Sequence, residues 1–293
     1  MNLYQQISSN KRKTWVLMLG FIIFITVVAY IIGEFWLGET TIVIPFIFIS
    51  LVINLFAYYL SDKTALALAG AHEVGIEEER QYFQLVHNLT IATGMPMPSL
   101  HVIESEALNA FATGRDPDHA AIAVTRGLLN SLDKRELEGV LAHELSHIKN
   151  FDTRLMTMVV VLVGMVALLT DFAWRASLFG GRKREDRGNG VMMIVGLVLI
   201  ILAPIIANII KLAVSRQREY LADASAAYIT RYPQGLIDAL TKIAFDPHKL
   251  ETAKTATAHM FIYNPLKDGS QKLAGLFSTH PPVEERIARL KEM

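Results

Sequence analysis

The chain has 293 residues, of which 52% are hydrophobic before its 18 glycines are counted and only 19% are charged, whereas ordinary globular domains run at roughly 45–50% apolar with glycine included and about 25% charged. The excess is clumped into segments, which excludes a wholly soluble or disordered chain and implies an integral membrane protein. Lys plus Arg and Asp plus Glu are both 28, so no net field favours nucleic acid. With Cys 0, disulfides and thiolate chemistry are excluded, and a transition metal has to be held by histidine and carboxylate.

The first apolar run, Trp15 to Ile32, carries no charge and is long enough as a helix to cross the hydrocarbon core. The linker Glu34 to Thr40 and a second run, Thr41 to Leu60, follow, so residues 1–60 are predicted to form a transmembrane helical hairpin. Lys11, Arg12 and Lys13 precede the first run and the linker holds Glu34 and Glu39. The positive-inside bias therefore places the N-terminus in the cytoplasm and the linker outside. Residues 61–154 return to the cytoplasm as a polar, mixed part. Within it Leu100–Ile103, Asn109–Thr113 and Ala121–Thr125 are short runs separated by Gly114, Asp116 and Pro117, the pattern of a small sheet. Asp133, with Glu136 three residues on, has the spacing of a capping box that opens a helix.

Two further apolar runs, Leu155–Thr170 and Val191–Ile210, make a second hydrophobic hairpin over residues 155–210. The stretch between them holds Arg175, Arg182, Lys183, Arg184 and Arg187. Full spanning would leave this basic loop outside, so a re-entrant hairpin enclosed by protein is the alternative. Residues 211–293 form a helical C-terminal part punctuated by Pro233, Pro247, Pro265 and Pro281-Pro282.

The helix that Asp133 opens contains His143-Glu-Leu-Ser-His147. A spacing of four puts both imidazoles on one helical face, one turn apart, where two nitrogens reach a single tetrahedral zinc ion. Glu144 falls beside that face, placed to take a proton from water as general base. A catalytic zinc site needs a third protein ligand. Lys149, Asn150 and Phe151 after the motif do not supply it, but Glu219 and Asp223 lie at helical spacing four beyond the second hydrophobic hairpin. An antiparallel hairpin over 155–210 brings that helix back beside His143 and His147. Glu219 is then the third ligand and Asp223 orients a ligating histidine; an exposed carboxylate pair beside Arg216 and Arg218 is the plainer alternative.

Four ordered motifs, Leu108-Asn-Ala-Phe-Ala-Thr-Gly114, His143 to His147, Arg218-Glu-Tyr-Leu-Ala-Asp223 and Phe277-Ser-Thr-His-Pro-Pro282, together with the N-terminal spans, make the chain resemble the HtpX-type membrane zinc metalloproteases. These are related more distantly to the CaaX-processing zinc endopeptidases. The resemblance implies a mainly α membrane protein whose zincin-like α+β metalloprotease domain, with its small β-sheet, is attached to transmembrane hairpins. It further implies a gluzincin with one Zn2+ per chain on His143, His147 and Glu219, and Glu144 as base. The active site would face the cytoplasm at a bacterial inner membrane, with a role in stress response and quality control of damaged or misassembled membrane proteins. Protein substrates and the lipid bilayer are the implied partners.

By the same resemblance Asn109, Ala110, Phe111 and Ala112 lie on an edge strand along which an extended substrate adds; an internal strand is the alternative. His280 resembles the family's late histidine, an oxyanion stabiliser or a structural turn residue. Asn150 either buttresses the site or caps its helix. The competing function is a non-catalytic scaffold pinned by zinc, which predicts a fourth protein ligand, with His280 the candidate.

Overall fold

The computed structural model describes the chain except for residues 1–2, 33, 35–38, 180–215, 253–256, 264 and 266–280. The second run of the second hairpin and His280 therefore lie outside the described residues.

Two long apolar helices, α1 (Leu3–Ile32) and α2 (Val43–Ala69), form the N-terminal hairpin. Both are long and apolar enough to cross a membrane, over Ile7–Tyr30 and Thr40–Ala69. Trp15, Val16, Ile44 and Phe48 stand exposed at 62–74%, which suits lipid and not water. α2 does not stop at Leu60 but runs nine residues further, to Ala69. Its end is set by Gly70, whose left-handed φ of 68° lets its backbone N–H turn back to the carbonyls of Leu66 and Ala67, as glycine readily does past a helix end. α6 (Asp152–Phe179) also outruns its apolar segment, continuing past Thr170. It packs on both hairpin helices through Met158, Val161 and Leu162 against Phe21, Ile25, Ile53 and Ala57.

A four-stranded sheet follows α2, built from β1 (Ala71–Glu73), β2 (Ser99–Ile103), β3 (Ala110–Gly114) and β4 (Ala120–Thr125) in the order β1-β2-β4-β3. β2 and β4 are parallel and the outer pairings are antiparallel. The three sequence-predicted strands form; β1 is too short to show a pattern. Strand residues alternate between faces. Leu100, Val102, Ala112, Ile122 and Val124 meet α3 (Arg80–Thr93) and α5 (Lys134–Lys149), whereas Ile103, Phe111, Ala121 and Ala123 meet Ala65 and Leu66 of α2, Met156 of α6 and Phe261. The sheet is thus the layer between the membrane helices and the helices that carry the HExxH motif.

α5 begins at the expected capping box: the Asp133 carboxylate accepts from the backbone of Arg135 and Glu136, and Glu136 accepts from Asp133 N–H. It lies against α7 (Arg216–Thr230) and α8 (Pro233–Ala244). Two glycines permit the close approach to α8. A Cβ on Gly139 would sit 2.8 Å from Leu236 N, and one on Gly235 would sit 2.5 Å from the Arg135 carbonyl oxygen. The last helix, α9 (Val283–Leu290), closes the domain over α7 and α8.

Candidate metal centre

α5 is buried along most of its length, and His143, Glu144 and His147 are 0%, 2% and 4% exposed. α7 brings Glu219 and Asp223, both buried, to the same place. The Nε2 atoms of the two histidines are 3.2 Å apart. Glu219 Oε1 is 3.6 Å from His147 Nε2 and Glu219 Oε2 is 3.7 Å from His143 Nε2. Ligand atoms about 2.0–2.1 Å from a tetrahedral zinc stand about 3.4 Å from one another, so this donor set fits such an ion. It is the one group of three metal-ligand side chains among the described residues.

Each imidazole is held through its other nitrogen. His143 Nδ1 lies 3.0 Å from Asp223 Oδ1 and His147 Nδ1 lies 2.9 Å from Asp152 Oδ2, so each Nδ1–H donates to a carboxylate and leaves the Nε2 lone pair directed at the centre. Burial disfavours the His147 cation, but Glu219 and Asp152 outweigh it and raise the pKa to about 9, so a metal ion binding there has to displace the Nε2 proton before that nitrogen can ligate. For His143 burial prevails over Asp223 and lowers the pKa. Burial also pushes the Glu144 carboxyl up to about 7, with the His147 charge opposing and Glu219 adding. The Ala112 backbone, nearby on β3, opposes that rise slightly. A carboxyl poised there exchanges protons readily near neutrality.

Three residues at the centre escaped the sequence reading. Arg286 of α9, 1% exposed, donates Nε to Asp223 Oδ2 at 2.9 Å, Nη2 to Asp223 Oδ1 at 2.7 Å and Nη1 to the Ile262 carbonyl at 3.2 Å. Burial alone would raise the Asp223 pKa; Arg286 and His143 reverse that and hold it far below the carboxylate range. The signal was an arginine on the face that α9 buries, with Val283 three residues before it and Leu290 four after. Asp152, 0% exposed at the start of α6, and Asn10, 2% exposed on α1, stand in no local pattern that marks them.

β3 is an edge strand. Thr125 donates its backbone N–H to Asn109 O, so by alternation Asn109, Phe111 and Thr113 address β4 while Ala110 and Ala112 turn their main-chain groups outward. The Ala110 carbonyl already accepts from Ile262 N at 2.9 Å, and the Asn109 carboxamide donates to the Tyr263 carbonyl. Asn150 is the C-cap of α5, and its carbonyl accepts from Asn10.

A motif helix and a helix bearing two carboxylates, converging on a buried three-donor centre on a domain seated against an apolar hairpin, define a membrane metallopeptidase. The profile of peptidase family M48 matches residues 77–293, and the chain belongs to that family, within it to the HtpX-type proteases. The Protease HtpX homolog of Dictyoglomus thermophilum is 46% identical over 99% of this chain and 94% of its own length. That of Ligilactobacillus salivarius is 41% identical over 99% of this chain and all of its own. Among solved structures, S. mikatae Ste24p is similar at a TM-score of 0.48 and 19% identity, over 98% of this chain and 66% of that one.

Proposed function

We propose that the protein is a zinc endopeptidase that cleaves membrane proteins at the cytoplasmic face of a bacterial inner membrane. The observation that carries the reading is the convergence of His143, His147 and Glu219 with Glu144 beside them. His143, His147 and Glu219 would hold the zinc, which would supply Lewis acidity towards a water and the scissile carbonyl. Glu144 takes the proton of the attacking water and returns it to the departing amine. Burial, which raises its pKa, favours the protonated form through which it passes the proton on. Asp223 and Asp152 fix the imidazoles. An extended substrate is held along the outward edge of β3 in the stretch Asn109, Ala110, Phe111 and Ala112, displacing Ile262 N from the Ala110 carbonyl it now occupies. Asn150 supports the turn below His147. By the family resemblance alone, His280, outside the described residues, is assigned to the oxyanion.

Domain by domain, residues 1–60 anchor the chain, with α2 running on to Ala69, 61–154 carry sheet and motif, 155–210 are the second hydrophobic hairpin, and 211–293 complete the centre through α7 and α9. One face of the sheet packs on α2 and α6, which supports substrates presented at a membrane; clearance of damaged membrane proteins under stress is the role the family resemblance implies.

The test is purified wild type beside Glu144→Gln on an unfolded membrane substrate with zinc controlled. The variant is expected to hold one zinc and cleave nothing, because the amide fills the same volume and accepts no proton. Appreciable turnover by the variant removes Glu144 as base.

A further inference from the structure

An asparagine buried on a membrane helix has to satisfy its carboxamide within the protein. Asn10 of α1, 2% exposed, does so at the metal centre. Its Nδ2 donates to Asp152 Oδ1 at 2.7 Å and to the Asn150 carbonyl at 3.0 Å, and its Oδ1 accepts from Arg218 Nη1 at 3.4 Å. The second oxygen of Asp152 is the one that accepts from His147 Nδ1. A continuous line of hydrogen bonds therefore runs from the first membrane helix to an imidazole of the centre.

α1 also grips the turn that joins α5 to α6. That turn passes through Phe151 at φ 58°, a left-handed backbone that bulky side chains avoid and that persists where surroundings hold it. Asn10 fastens the residues on either side, Asn150 and Asp152, and the Lys11 ammonium sits 4.3 Å above the Phe151 ring.

We propose that seating of α1 sets the affinity of the metal centre, with Asn10 as a positioning residue that holds Asp152, and through it His147, in ligating orientation. The first membrane helix is thus part of the site as well as its anchor. Without Asn10 the Asp152 carboxylate is drawn to Arg218, whose Nη1 is 3.5 Å from Oδ1, and the imidazole loses the partner that fixes its ring. This inference rests on the reading of His143, His147 and Glu219 as ligands.

The experiment measures zinc affinity of the full chain in detergent, by competition with a chromophoric chelator. Asn10→Leu, Asn10→Ser, Asp152→Asn and the Asn10→Leu/Asp152→Asn double variant are compared with wild type. Asn54→Leu is the control, because Asn54 is equally buried but donates to Ser50 of its own helix. Loss of the partner of a ligand typically costs about 10 to 100-fold in metal affinity. Asn10→Leu is expected to weaken zinc roughly tenfold and Asn10→Ser in the same direction, while Asn54→Leu stays within about twofold. The double variant should bind no more weakly than Asp152→Asn alone, since one residue acts through the other. Wild-type affinity in both Asn10 variants, multiplying losses in the double variant, or an equal loss in Asn54→Leu each overturns the proposal. Should Asn10→Leu lose its helical circular dichroism, Asn10→Ser decides. A wild type that binds no zinc refutes the ligand assignment itself, before any Asn10 variant is compared.

Discussion

Replacing Arg286 with Met keeps much of the side-chain volume and removes the guanidinium. The cost follows from what it leaves behind. Asp223 is 2% exposed, both of its oxygens accept from Arg286, and Oδ1 also faces His143 Nδ1. Removing one partner of a buried ion pair leaves a charge without its counter-ion and costs about 3–5 kcal/mol. At about 2–4 °C per kcal/mol for a domain of this size, melting should fall by on the order of 10 °C. The Ile262 carbonyl also loses its donor, which loosens the segment against β3. Because Asp223 then orients His143 poorly, zinc affinity should drop by about 10 to 100-fold. Arg286→Lys should recover little, since an ammonium cannot make the paired contacts with one carboxylate that the planar fork makes. Thermal unfolding followed by circular dichroism, with zinc competition on the same samples, checks both effects. Wild-type melting together with wild-type zinc affinity in Arg286→Met would refute the argument that the C-terminal helix holds the centre together.

Glu219→Gln should lose zinc more steeply than Asp223→Asn, because it replaces a charged ligand atom while Asp223 acts through His143; metal analysis across a zinc titration gives the order, and the reverse order exchanges the two roles. Single cysteines at Glu39 and Ala67, both exposed in a chain with no native thiol, should be labelled by a membrane-impermeant reagent from opposite sides. Labelling of both from one side contradicts the hairpin topology, and a third cysteine at Gly188 decides whether the basic loop crosses.

Regular patterns were legible in the sequence, and contacts that depend on one irregular turn were not. The two spans, the three longer strands and the α5 capping box each have a period or spacing that a single segment displays. Glu219 was reachable on the expectation that an antiparallel hairpin returns the chain to where it left; α7 does lie beside α5, while residues 180–215 lie outside those described. The extension of α2 to Ala69 was hidden because the residues after Leu60 turn polar on the solvent side while Ala65, Leu66 and Ala69 stay buried. Asn10 and Asp152 could not be paired from sequence. Their meeting depends on the left-handed Phe151 between α5 and α6 and on how α1 crosses α6, neither of which has a local signature. Arg286 was disguised for a related reason: a charged residue in a short amphipathic helix reads as solvated until its partner on another helix is known.

The central claim is that two imidazoles and one carboxylate hold zinc and leave a position open. X-ray absorption at the zinc edge, on the purified full chain, tests it most directly. Nitrogen and oxygen scatterers are expected at about 2.0–2.1 Å, with two imidazole signatures and an exchangeable solvent oxygen, and with the carboxylate contribution altered in Glu219→Gln. Three or more imidazole signatures in a closed four-ligand shell, unchanged in Glu219→Gln, would contradict it and make the metal a structural pin.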